Sequence, residues 1–129
     1  MKFSTRAEYG LRAIVHLDKN GRNLVSLAGI AQKEKLSLAY LERLFAKLKK
    51  AKLVRADLGA RGGYYLAKPA KKINVLSVIE ALEGSVAPME CVGRDFVCCS
   101  APCRVHPVWL KLYRQIKKTL KEISLESIM

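Results

Sequence analysis

The feature that most constrains the fold is a short helix, a tight turn and a longer amphipathic helix between residues 26 and 50. Ser26 and Ser37 both occupy N-cap positions, where a side-chain oxygen can accept a free backbone N–H. The longer helix has an apolar stripe at helical spacing, formed by Leu38, Leu41, Leu44, Phe45 and Leu48. Its opposite face carries Tyr40, Arg43, Lys47 and Lys50. This pattern predicts a helix-turn-helix.

A glycine-rich hairpin follows. Two short apolar segments, Leu53–Leu58 and Tyr64–Ala67, read as strands on either side of Gly59-Ala60-Arg61-Gly62-Gly63. A hairpin in this position predicts the wing of a winged helix-turn-helix. The expected fold is therefore mainly α with a small β-hairpin.

Helices are also predicted on both sides of this unit. The first covers about Ser4 to Lys19 and ends at Asn20-Gly21, since glycine adopts a left-handed backbone without steric cost. Asn74 caps another helix, which Gly84 ends. We expect residues 1–72 to form the winged helix-turn-helix, and residues 73–129 to hold a helix, a cysteine-rich loop and a long final helix.

The final helix begins near Pro107, whose missing N–H costs nothing in a first turn. Its apolar residues repeat every three or four positions: Trp109, Leu112, Tyr113, Ile116, Leu120 and Ile123. A long helix that follows a complete compact unit needs a surface on which to bury such a stripe. Pairing with the same helix of a second chain is the simplest solution, so we expect a homodimer.

The charge is concentrated in the first half of the chain. The net charge is +13; residues 1–72 contain 17 Lys and Arg against 5 Asp and Glu, whereas residues 73–129 contain 7 against 6. Together with the helix-turn-helix, this asymmetry predicts binding to double-stranded DNA. No apolar run approaches the roughly 18–20 residues that span a bilayer, and the first residues lack a signal peptide. We expect a cytoplasmic protein without a membrane partner.

Five residues are predicted to contact DNA. Ser37, Tyr40 and Arg43 lie at the start of the second helix, which faces base edges in such proteins. Arg43 suits guanine, whereas Lys47 suits a phosphate, and Arg61 is on the wing. Glu42 on the same helix is open to three interpretations: it accepts a hydrogen bond from cytosine, repels the wrong DNA, or pairs with a neighbouring cation.

Four cysteines fall within a stretch that lacks helical or strand periodicity: Cys91, Cys98, Cys99 and Cys103, with His106 three residues further on. In a reducing compartment they indicate metal ligands or redox groups before structural disulfides. A zinc site, a thiol–disulfide switch, an iron–sulfur cluster and ordinary thiols are all compatible with this spacing. The chain lacks a phosphate-binding glycine loop and a Cys-x2-Cys motif in a βαβ pattern, so we do not expect an enzyme.

Several motifs resemble one family over almost the whole chain: Ser37–Ala51, Gly62–Ala67, Ile79–Gly84, and the cysteines followed by Cys103-x2-His106. The family is that of the winged-helix regulators typified by the iron–sulfur cluster regulator IscR, with relatives that sense nitric oxide (NsrR) or iron status (RirA). The resemblance implies a homodimer with crossed C-terminal helices. It also implies a transcription regulator that senses iron–sulfur cluster status and controls cluster assembly genes.

The resemblance further implies a 2Fe–2S cluster ligated by Cys91, Cys98, Cys103 and His106. Family spacing favours Cys98 over Cys99 as the middle ligand. Glu8 falls where the nitric-oxide-sensing branch has a carboxylate that ligates a 4Fe–4S cluster of the partner subunit. A nitric-oxide or redox-sensing repressor, and a thiol- or zinc-based sensor, are therefore the alternative functions.

Two departures from the family pattern concern DNA, one in the wing and one in the second helix of the motif. Family wings commonly have Arg near Leu58 and Pro at Ala60, so Arg61 is expected to supply the minor-groove contact here. The second helix of the motif has Ala39 and Arg43 where relatives often have Ser and Gln, which leaves the operator sequence open.

Overall fold

The computed structural model describes residues 2–59, 61–93 and 103–129 of the chain. The helices are α1 (Thr5–Ile14), α2 (Leu27–Glu34), α3 (Leu38–Lys50), α4 (Val75–Glu83), α5 (Glu90–Gly93) and α6 (His106–Glu122). The strands are β1 (Val54–Asp57) and β2 (Gly63–Leu66), and short 3-10 helices cover Ala70–Lys72 and Leu125–Ile128. This mainly helical architecture with one hairpin confirms the predicted fold class. None of the helices in these ranges is long and apolar enough to cross a membrane.

The helix-turn-helix is built by local hydrogen bonds. The Ser26 hydroxyl oxygen accepts the N–H of Gly29 at 3.4 Å, and that of Ser37 accepts the N–H of Tyr40 at 3.1 Å. Between the two helices Lys35 adopts a left-handed backbone with φ 56°, which reverses the chain direction. Both predicted N-caps are therefore confirmed.

The first helix is shorter than the sequence predicts. It ends at Ile14, not near Lys19, and Leu17 is buried from the turn that follows. The Asp18 carboxylate accepts the N–H groups of Asn20, Arg22 and Asn23, so the side chain stabilises a loop that competes with further helix. Gly21 lies in this loop with φ 66°, where a Cβ atom would come within 2.6 Å of the Leu66 carbonyl oxygen.

The hairpin is antiparallel and is joined to the segment before α2. Val54 pairs with Leu66 at one end and Asp57 with Gly63 at the other. Val25 and Tyr64 exchange two backbone hydrogen bonds, of 3.0 and 2.8 Å, on the other side of β2. The wing is thereby fixed relative to the helix-turn-helix.

The core lies behind α3. Leu41, Leu44, Phe45 and Leu48 are at most 1% exposed and pack with residues of α1, α2, α4 and β2. Leu38, which the sequence pattern places in the same stripe, is 43% exposed, so that part of the expectation is wrong. It is the first residue of α3 and does not belong to the core cluster that the later residues of the stripe form.

The chain returns to this core at its last residues. The Val75 N–H donates to the Ile123 carbonyl oxygen and the Leu125 N–H to that of Ile73, at 2.8 and 2.7 Å. The Leu125 side chain is 0% exposed and belongs to the same core as Leu44. The core thus joins residues on both sides of position 72, and the division at that position stays a prediction.

The apolar stripe of α6 is divided between two environments. Tyr113, Ile116, Leu120 and Ile123 pack within the chain against a second buried cluster, formed by Ala7, Val75, Leu76, Ile79 and Val86. These residues remain partly exposed, so packing within the chain buries this half of the stripe only in part, and the predicted homodimer stays a prediction. The preceding turns leave Val105, Val108 and Leu112 exposed.

One polar cluster links α1 to α2. Glu34 forms an ion pair with Arg12 at 2.9 Å and a hydrogen bond with His16 Nε2 at 2.7 Å. The hydrogen bond with His16 is the main reason why the pKa of Glu34 lies below its ordinary value; burial opposes it and Arg12 adds to it. These contacts fix α2 beside α1 and thus support the position of the helix-turn-helix.

Replacement of Leu125 by Ala should lower the free energy of unfolding by about 2–5 kcal/mol, since it leaves a cavity in the main core. Ile128→Ala, three residues on at an exposed position, should change it by less than about 0.5 kcal/mol. Urea unfolding followed by circular dichroism measures both. Equal effects of the two variants would show that the C-terminal segment is not anchored by Leu125.

Candidate functional site

The start of α3 presents the predicted base-reading residues, but in different roles. Ser37 is exposed and its hydroxyl oxygen caps the helix. Tyr40 is only half-exposed, because its ring packs edge-on against Tyr9 at a centroid distance of 6.3 Å. The Arg43 guanidinium lies 5.7 Å from the centre of the Tyr40 ring, within the range of a cation–π contact. Tyr40 therefore supports the position of Arg43 as well as offering its own hydroxyl.

Positive charge is concentrated at the other end of α3. Lys47, Lys49 and Lys50 occupy the last turn of α3, where cations also interact favourably with the helix dipole. Within residues 2–59, 61–93 and 103–129, Glu34 is the acidic partner in every salt bridge, and no cation of α3 or the wing takes part. These cations therefore remain available to phosphates.

The wing contributes an exposed tip. Arg61 is exposed there, and the Asp57 carboxylate accepts the N–H of Gly59 at 3.0 Å, which shapes the turn. Leu58 is 89% exposed. Ala60 lies outside the described residues.

A basic groove on the wing was missed by the sequence analysis. Lys49, Lys52 and Arg55 line it together with Tyr65. Arg55 and Tyr65 are direct cross-strand partners, so their side chains share one face of the hairpin. The register of the hairpin could have revealed this pair, whereas the approach of Lys49 and Lys52 depends on how α3 meets β1.

The described cysteines, Cys91 and Cys103, lie in α5 and in the segment before α6. Cys91 is half-buried in α5, and α5 packs against α6. Cys103 is half-buried just before α6, and its carbonyl oxygen accepts the N–H of His106 at 3.4 Å. Cys98 and Cys99 lie outside the described residues. Among the residues that the structure describes, no three His, Cys, Asp or Glu side chains are close enough to hold a metal ion.

The residue at the end of α4, just before the segment that contains the cysteines, contacts the start of the first helix. Glu83, at the end of α4, accepts hydrogen bonds from the backbone N–H and the hydroxyl of Ser4, the N-cap of α1. Partial burial alone raises the pKa of Glu83, but the hydrogen bonds from Ser4 outweigh it and the pKa lies below its ordinary value. Glu8 is exposed one turn further along α1.

Comparison with known proteins identifies this architecture. A family model described as "Rrf2: Iron-dependent Transcriptional regulator" matches residues 3–129. The chain belongs to the Rrf2 family of transcriptional regulators. This agrees with the resemblance to IscR-like regulators noted from the sequence motifs, and with the expectation that the chain is not an enzyme.

Individual Rrf2 relatives match the whole chain. The transcriptional regulator IscR of Vibrio atlanticus is 35% identical over 130 residues, which cover 100% of this chain and 75% of that protein. The solved structure of CymR, the global cysteine regulator of B. subtilis, has a TM-score of 0.80 at 33% identity, over 99% of this chain and 95% of that one. The structure of T. potens IscR has a TM-score of 0.77 at 34% identity, over 99% and 85%. The helix-turn-helix and its hairpin are thus the DNA-binding winged helix of an Rrf2 regulator.

Arg43→Ala should weaken binding to a preferred duplex by about 1–3 kcal/mol more than to a scrambled duplex of the same length, if Arg43 reads a base. Affinity of the wild type for both duplexes should fall steeply with salt, because cations of α3 and the wing displace counterions. Fluorescence anisotropy over a salt series measures both effects. Lys118→Ala, which removes an exposed cation from α6, is the matched control. Equal losses on the two duplexes would restrict Arg43 to a backbone contact.

Proposed function

We propose that the protein senses iron–sulfur cluster status through a 2Fe–2S cluster held by Cys91, Cys98, Cys103 and His106, and thereby controls cluster assembly genes. The observation that carries the proposal is the contact between α5, which contains Cys91, and α6, whose first residue is His106. Cys103 lies three residues before His106.

The three cysteines and the histidine proposed as ligands have side chains that suit an iron–sulfur cluster. Thiolates hold iron–sulfur clusters, and an imidazole can replace one of them. Cys91 and Cys103 are half-buried, so they are partly shielded yet still reachable by solvent and iron. When bound, the cluster would supply a redox-active and reversible crosslink between α5 and α6. Similarity to proteins named IscR supports the same reading.

The chain provides a physical route from these ligands to DNA. His106 is the first residue of α6, and the residues that follow its other end are hydrogen-bonded to Ile73 and Val75. Leu125 then enters the core that holds α3. A change at the start of α6 can therefore alter the position of α3 relative to DNA, because a helix transmits displacement along its axis.

We also propose that the protein is a homodimer that binds an operator. Val105, directly before α6, and Val108 and Leu112 in its first two turns are exposed apolar residues. A second copy would cover them, and a dimer places two recognition helices on one duplex.

Leu112→Asp should convert the dimer to a monomer, since a buried unpaired charge is strongly unfavourable. Lys118→Asp, at an exposed polar position of the same helix, should leave the dimer intact. Multi-angle light scattering measures the mass, and circular dichroism checks the fold of both variants. A monomeric wild type would contradict this assignment of the exposed α6 face.

The cluster proposal predicts about two iron atoms per chain and a coloured protein after purification without oxygen. Cys91→Ala and Cys103→Ala should abolish the absorption, and only one of Cys98→Ala and Cys99→Ala should do so. His106→Ala should lose the cluster quickly, whereas His106→Cys should retain it longer, because a thiolate binds iron more strongly than imidazole. Iron analysis and absorption spectra measure these effects. A wild-type spectrum in His106→Ala, together with its loss in Glu8→Ala, would instead support a 4Fe–4S nitric-oxide sensor.

A thiol-based regulator is the second candidate. It is favoured by the structural similarity to CymR, described as a global cysteine regulator, and by the half-exposed thiols of Cys91 and Cys103. Iron-free protein that forms a disulfide on mild oxidation, detected by mass spectrometry, would support it. Stoichiometric zinc without iron would contradict both candidates and support a zinc-based sensor.

A further inference from the structure

Leu38 is exposed at the point where the recognition helix begins. It is 43% exposed, whereas the apolar residues that follow it along the same stripe are at most 1% exposed. Ser37 caps the helix directly before it, so the backbone at Leu38 is held in place. A large apolar side chain at this position does not contribute to the core, and its exposure to water is unfavourable.

The surroundings of Leu38 form a groove between α3 and the wing. Ala28 and Leu38 lie on the helical wall and Leu58 on the wing wall. Among the described residues that line the groove, the charged ones are Glu42 and Asp57, both acidic. Carboxylates repel phosphates, so the groove itself does not suit the DNA backbone. The cations that suit phosphates lie outside it, on the last turn of α3 and at Arg61.

The chemistry of base edges limits what Leu38 can recognise. It has no hydrogen-bonding group, so it cannot read the donors and acceptors of the major groove. Thymine alone among the four bases presents a methyl group there, at C5, and apolar side chains pack against it. The first residues of a recognition helix are the ones that reach base edges.

We propose that Leu38 is a specificity-determining residue that packs on the 5-methyl group of a thymine in the major groove. The inference rests on the proposed binding of a DNA operator, and it goes further by naming a base and the atom that is read. Leu58 belongs to the wing, which is expected to contact the minor groove of DNA, and the minor groove carries no thymine methyl group.

The test starts from a duplex selected from a random pool by the full-length protein. Each thymine of that duplex is then replaced, one at a time, by uracil, which lacks the methyl group. At one thymine in each half-site the wild type should lose about fourfold in affinity, as expected for about 0.8 kcal/mol from one methyl-sized group. Leu38→Ala should bind the thymine duplex more weakly and show no difference between thymine and uracil at that position.

Leu58→Ala is the matched control, because it removes the exposed apolar residue from the opposite wall. It should keep the wild-type difference between thymine and uracil. Alanine favours helix, so Leu38→Ala should fold, and thermal unfolding checks this. The inference is overturned if no thymine is sensitive to uracil, if Leu38→Ala keeps the sensitivity, or if Leu58→Ala loses it equally. Failure to enrich any duplex would overturn the DNA-binding proposal itself, together with this inference.

Discussion

The structure depends on the burial of one side of α3. Leu41, Leu44, Phe45 and Leu48 are surrounded by α1, α2, α4 and the hairpin, and this packing determines which residues of the helix remain outside. Phe45 also contacts the Tyr64 ring of β2 edge-on at 5.1 Å, so the recognition helix and the wing share one support. Because interiors are closely packed, the two DNA-facing elements cannot move independently of the core.

The same core explains how a segment far along the chain can influence α3. Leu125, which follows α6, belongs to this core, and so do Val78 and Leu82 of α4. Glu83, the last residue of α4, accepts a hydrogen bond from Ser4, the N-cap of α1. The segment that contains the cysteines follows Glu83 in the chain. Both ends of the segment that carries the cysteines are therefore connected to elements that pack on the recognition helix.

Two of the exposed apolar surfaces among the described residues have different surroundings. The groove at Leu38 lies between the recognition helix and the wing, and the cations of α3 and Arg61 lie outside it, which favours an apolar base edge within the groove and phosphates beside it. The exposed residues Val108 and Leu112 lie in the first turns of α6, close in sequence to Cys103 and His106.

Local interactions explain what the sequence by itself determined. The caps at Ser26, Ser37 and Asn74, the glycine-rich hairpin and the α3 stripe depend on residues a few positions apart, so their patterns were sufficient to predict the winged helix. The candidate DNA residues and cysteine ligands could likewise be chosen by residue type and spacing. The tertiary structure alone decided where α1 ends, that Leu38 is exposed, that half of the α6 stripe packs against a buried cluster of the same chain, and that Leu125 completes the core. Each of these depends on which distant surface faces the residue, and that information is absent from local periodicity.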